Sequence, residues 1–110
     1  MLDTTSLTAA VERFADRLRA APQSRLQRGA AADGLALARE LSSRAQRLEA
    51  QRRQGAGAAV RVMPDAGIFA VADQLAVAGN DLALELRTAS SVELDEAVKL
   101  VEAAEAGSGL

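Results

Sequence analysis

From Met63 to Leu86 the chain reads MPDAGIFAVADQLAVAGNDLALEL, small and aliphatic residues interrupted by Asp73, Gln74 and the Asn80-Asp81 pair. Ile68, Ala72, Leu75, Gly79, Leu82 and Leu86 step four, three, four, three, four. That step holds them on one face of a helix as a heptad-like seam. Phe69, Val71, Ala76 and Ala83 are expected to widen the same face. Ala72, Ala76, Gly79 and Ala83 carry small-xxx-small spacings, which let two helix backbones approach closely. A face this small implies a neighbouring helix packed tightly on the seam Leu75, Gly79, Leu82 and Leu86. A membrane span is not expected, because it needs about 20 largely apolar residues. The purely apolar run here ends at Asp73 and Gln74.

The rest of the chain gives further helical periods. Leu7, Val11, Phe14 and Leu18 recur on one face, and Asp3, Thr4, Thr5 and Ser6 offer N-cap side chains. Pro22 closes that helix, since the residue before a proline is driven out of the α region. Ser24 with Gln27 has capping-box spacing. Gly29 and Gly34 predict a bend early in the second helix. Leu37, Leu41, Ala45 and Leu48 then form a stripe with Leu35 and Ala38. GAGAAVRV, residues 55–62, reads as a flexible linker with room for a brief extended piece. Pro64 and Asp65 suit the first turn of the next helix. Ser90 with Glu93 is a second capping-box match. Beyond it Leu94, Ala97 or Val98, Val101 and Ala104 face inward, and Asp95, Glu96, Glu102 and Glu105 face water. Gly107 is the expected helix stop, with a frayed GSGL tail.

These signals predict one all-α domain spanning 1–110, with helices over about 5–21, 24–53 (breaking near 29–34), 64–88 and 91–106. The expected architecture is a small antiparallel four-helix bundle made of two helical hairpins in up-down-up-down order. Phe14 and Phe69 are the only aromatics, and much of the apolar content is alanine, which buries little area. A second copy of the chain could supply the missing area, so a homo-oligomer is expected.

Composition restricts the chemistry. The chain has no Cys and no His, hence no thiol nucleophile, no cysteine zinc site and none of the commonest general bases. No phosphate-cradling glycine motif occurs. No catalytic residue, cofactor or metal is expected, and the protein is expected not to be an enzyme. The first ten residues lack a basic and apolar leader pattern, so the cytoplasm is the expected compartment.

Charge is divided along the chain. Up to Gln54 there are ten arginines against six acids, a net of +4. From Gly55 onward three bases stand against nine acids, a net of −6. Such halves can complement one another within a chain or between copies. Arg39, Arg44, Arg47, Arg52 and Arg53 decorate one helix end and form the candidate partner-binding surface. The leading functional expectation is a non-enzymatic protein-interaction, adaptor or structural role. An alternative is nucleic-acid binding by those arginines, although Glu40 and Glu49 interrupt them and no aromatics stand among them for base stacking. A weaker alternative is a divalent-cation site built on Asp73 and Asp81, eight residues apart on the third helix.

Overall fold

The structure is a computed structural model, and it describes residues 1–53 and 60–110. Its long elements are α1 (Thr5–Ala20), α3 (Ala31–Arg52), α4 (Val71–Leu86) and α5 (Ser91–Gly107). A short α2 (Gln23–Arg25) and a π turn, Leu26–Ala30, lead into α3. The described residues contain no strand. The all-α reading therefore holds. Residues 55–59 of the expected linker lie outside the described residues.

α1 buries the predicted face, with Leu7, Val11, Phe14 and Leu18 in the core. Its start departs from the expected capping: Thr4 gives no side-chain cap. Instead the Asp3 carboxylate accepts from the Thr5 amide at 2.9 Å and the Thr5 hydroxyl at 2.6 Å. Those two hydrogen bonds hold the Asp3 carboxyl below its ordinary pKa. Ser24 does not cap either; it lies inside α2, which begins after Pro22. The predicted bend is present at Gly29, whose φ of 146° is a conformation L side chains rarely adopt. Gly34 lies within α3 and is buried. A Cβ there would stand 2.7 Å from Val71 Cγ1 and 3.0 Å from Leu18 Cδ1. Gly34 is thus a close-approach point as well as a weak helix former.

The third predicted helix begins later than its sequence suggests. Asp65 Oδ1 accepts from the Gly67 amide at 2.9 Å, and Gly67 has φ 94°. This turn spends the Asp65 side chain on a non-helical backbone and delays α4 to Val71. Pro64 is therefore not in a helical first turn, and Ile68 precedes the helix, half-buried. Phe69 does not widen the buried face; it is 73 % exposed. The remainder of the seam is as predicted: Leu75, Leu82 and Leu86 are buried, and Gly79 is pressed against α1.

The helices interlock in an order that differs from two antiparallel hairpins. α4 packs on α3 and α1, and α5 packs on α1 and α3. Contact between α1 and α3, or between α4 and α5, is slight by comparison. α3 and α4 run in the same direction: Val71 lies at Gly34, and Arg52 pairs with Glu85 at the opposite end. The expected up-down-up-down order therefore fails at this step. On the return, residues 61–63 run back along α3. Gln46 grips the Arg61 backbone at both positions, its Oε1 accepting from the amide at 2.8 Å and its Nε2 donating to the carbonyl at 2.8 Å. Arg39 Nε donates to the Met63 carbonyl at 2.8 Å, and Gln74 Nε2 to that of Pro64 at 2.9 Å. α1 runs opposite to α4, since Val11 meets Gly79 while Arg19 pairs with Asp73.

α5 starts with the predicted box: Ser90 Oγ accepts from the Glu93 amide, and Glu93 Oε2 accepts from the Ser90 amide. Leu94, Ala97 and Val101 are buried. Glu105 is the exception to the predicted polar face, because it is buried too. The tail is docked rather than frayed. Ser108 Oγ donates to the Glu105 carbonyl at 2.6 Å, and Arg25 Nη1 to the Gly109 carbonyl at 2.7 Å. Gly109, with φ 78°, is the left-handed glycine beyond the helix end, in place of Gly107.

Candidate interaction surface

The five arginines expected to form one surface all lie on α3 or at its C-terminal cap, and each has a partner within the chain. Arg39 is engaged with the Met63 carbonyl. Arg44 pairs with Glu40 at 3.0 Å, one helical turn back, and Arg47 approaches the same carboxylate at 3.9 Å. Arg53 pairs with Glu49 at 3.2 Å. Arg52 reaches across to α4, where its Nε and Nη2 donate to the two oxygens of Glu85 at 3.0 and 3.3 Å. That hydrogen bonding raises the Arg52 pKa above its ordinary value, so the guanidinium stays charged. A two-point arginine–carboxylate contact fixes orientation as well as charge. Arg39 and Arg52 thus reach other parts of the chain, while Arg44, Arg47 and Arg53 pair within α3.

Arg44 and Arg47 share a cleft of about 230 Å³ with Glu93 and Glu96 of α5. Leu48, Gln51, Leu82, Leu86 and Ala97 complete its lining. Two arginines and two glutamates thus line one cleft.

Asp73 and Asp81 stand on the solvent side of α4. Asp73 Oδ1 accepts from Arg19 Nη2 at 3.0 Å, and that bond raises the Arg19 pKa. Among the described residues no group of three or more His, Cys, Asp or Glu side chains gathers as a metal site. Nor is any described helix long and apolar enough to cross a membrane.

Glu105 forms the most enclosed ionic group. Its carboxylate accepts from Arg13 Nε at 3.4 Å and Arg17 Nη1 at 3.1 Å, both from α1. The arginines are separated by four residues, one turn of α1, so both can reach one carboxylate. The group fastens the end of α5 onto α1. Sequence periodicity puts residues 94, 97, 101 and 105 on one face, which is the signal that could have assigned Glu105 inward.

The outer face of α4 carries a feature that periodicity also hides. Val77 and Leu84 are 54 % and 58 % exposed. Each lies two residues beyond a seam leucine, Leu75 or Leu82, and two residues turn a helix by about 200°. They therefore form a second heptad-spaced pair, opposite the buried one. Leu84 also lines a groove of about 460 Å³ with Val62, Met63, Pro64 and Ala45. Val62 is 69 % exposed. Asp73 stands before this stripe and Arg87 just after it, both exposed. No family model, curated protein or solved structure matches this chain.

Proposed function

We propose that the chain is a non-enzymatic helical interaction protein that associates with a second copy of itself through the outer face of α4. The observation that carries this reading is the heptad-spaced pair Val77 and Leu84, both exposed, with Leu84 sharing a groove with Val62. Heptad spacing is the sequence form of a helix-pairing seam. Two copies of α4 laid antiparallel place Val77 of each against Leu84 of the other. The same arrangement brings Arg87 of one copy toward Asp73 of the other, which Arg19 also holds, and sets Asp81 of the two copies near each other at the centre of the stripe. The absence of Cys and His from the sequence supports a binding role over nucleophilic or acid–base catalysis.

Light scattering across micromolar concentrations provides the test. The native protein is expected to weigh more than 11.4 kDa per particle, and Val77→Asp with Leu84→Asp to return it to that mass while keeping its helical signal. A native particle of 11.4 kDa throughout, with a melt independent of concentration, removes self-association.

A further inference from the structure

The major helix–helix interfaces among the long elements join the first half of the chain to the second. α1 and α3 pack on α4 and α5, while α1 and α3 touch each other little, as do α4 and α5. Among the described residues, the ion pairs that join different helices respect the same division. Arg13 and Arg17 with Glu105, Arg19 with Asp73, and Arg52 with Glu85 each place the arginine in the first half and the acid in the second. Both glycines that mark close approach take part in these interfaces. Gly79 of α4 receives Val11 of α1, and Gly34 of α3 receives Val71 of α4 together with Leu18 of its own half.

We infer that the two halves, residues 1–53 and 60–110, are complementary docking partners that pair within one chain or reciprocally between two copies. The first half carries a net charge of +4 and the second −6, so like halves repel and unlike halves attract. In an exchanged dimer, α4 and α5 of each copy occupy the place between α1 and α3 of the other, and each interface between halves is remade with the same residues. The partner is therefore a second copy of this chain, and its contribution is α4 with α5. Pairing within one chain dominates in dilute solution, because covalent linkage gives the halves an effective concentration of about millimolar. Exchange is expected where copies fold together at comparable concentration. This mode goes beyond the outer-face association and does not use Val77 or Leu84.

The experiment uses full-length chains, whose native sequence contains no cysteine. Val11→Cys is made in one preparation and Gly79→Cys in another. The Cβ positions at 11 and 79 are 3.1 Å apart, just short of the roughly 3.5–4.5 Å of a disulfide. Equal amounts are unfolded, mixed, refolded together at about millimolar concentration and oxidised. The expected product is a covalent dimer of twice 11.4 kDa, linked between position 11 of one copy and position 79 of the other. Such links should greatly exceed the half share that random thiol pairing gives, and should be lost when refolding is a hundredfold more dilute. Arg52→Cys with Glu85→Cys repeats the test at a surface pair if the buried thiols impair folding. A dimer by light scattering without these cross-copy links overturns exchange and leaves the outer-face reading standing. Links at the random share, or none at any concentration with either pair, also overturn exchange.

Discussion

Gly79→Ala adds one methyl group where α4 meets α1, and the packing there predicts its effect. The new Cβ would lie 2.6 Å from Val11 Cγ1, 2.8 Å from Cγ2 and 3.1 Å from Cβ. Val11 has little freedom to turn aside, since a β-branched side chain in a helix holds one strongly preferred χ1 rotamer. Rotation would in any case leave its Cβ in place. The helices must therefore separate locally. Alanine gains roughly 1 kcal/mol of helix propensity over glycine, whereas overpacking a well-packed core costs about 1–3 kcal/mol. The net expectation is a loss of up to about 2 kcal/mol. In a domain of this size each kcal/mol moves Tm by about 4–6 °C. A double-mutant cycle isolates the contact. Val11→Ala alone loses about 1.6 kcal/mol at roughly 0.8 per methyl, but it also removes the 2.6 and 2.8 Å contacts and leaves only the one at 3.1 Å. The pair Val11→Ala with Gly79→Ala should then be more stable than the sum of the single changes by about 1–3 kcal/mol. Gly107→Ala is the control, because its Cβ would meet nothing within 4 Å. It should be neutral or modestly stabilising. Urea titrations of these variants give the cycle. A Gly79→Ala protein stabilised by the full propensity gain, with additive behaviour in the pair, would refute close packing at this site.

Glu105→Ala leaves Arg13 and Arg17 without their shared carboxylate. Both arginines are about half exposed, so the expected loss in a urea melt is about 1–2 kcal/mol, well below that for breaking a fully buried pair. Ser90→Ala removes the acceptor for the Glu93 amide and should cost about 1 kcal/mol, read as a lower denaturation midpoint with an unchanged slope. Asp3 is held below its ordinary pKa of 3.8 by its bonds to Thr5. Its contribution is fully present above that unfolded value and is lost as the pH falls through the lower folded one. Comparing Tm against pH for the native protein and Asp3→Asn should show a steeper acid decline in the native protein.

Local patterns placed the long helices, apart from the start of α4. Leu7, Val11, Phe14 and Leu18 in α1 are three or four residues apart, and any helix through them must put them on one face. Ser90 and Glu93 satisfy each other within one turn, so that cap is written in adjacent residues. Gly79 was also legible as a contact, because a glycine amid Leu75, Leu82 and Leu86 has no side chain to fill the seam. Periodicity cannot express which distant group reaches a given backbone. α4 starts at Val71 because Asp65 turns the chain at Gly67, while Arg39, Gln46 and Gln74 hold the preceding segment. The parallel run of α3 and α4 results from that return path. Arg39, Arg44, Arg47, Arg52 and Arg53 share a basic helix end in the sequence. Only tertiary packing sent Arg39 to a carbonyl and Arg52 to Glu85. Glu105 is buried because two arginines of α1 meet it, and Val77 and Leu84 are exposed because no described helix covers that side of α4. A helix's own sequence fixes its faces through the angle between successive residues. Which face is covered depends on long-range partners, and those exist only once the two halves have closed on each other.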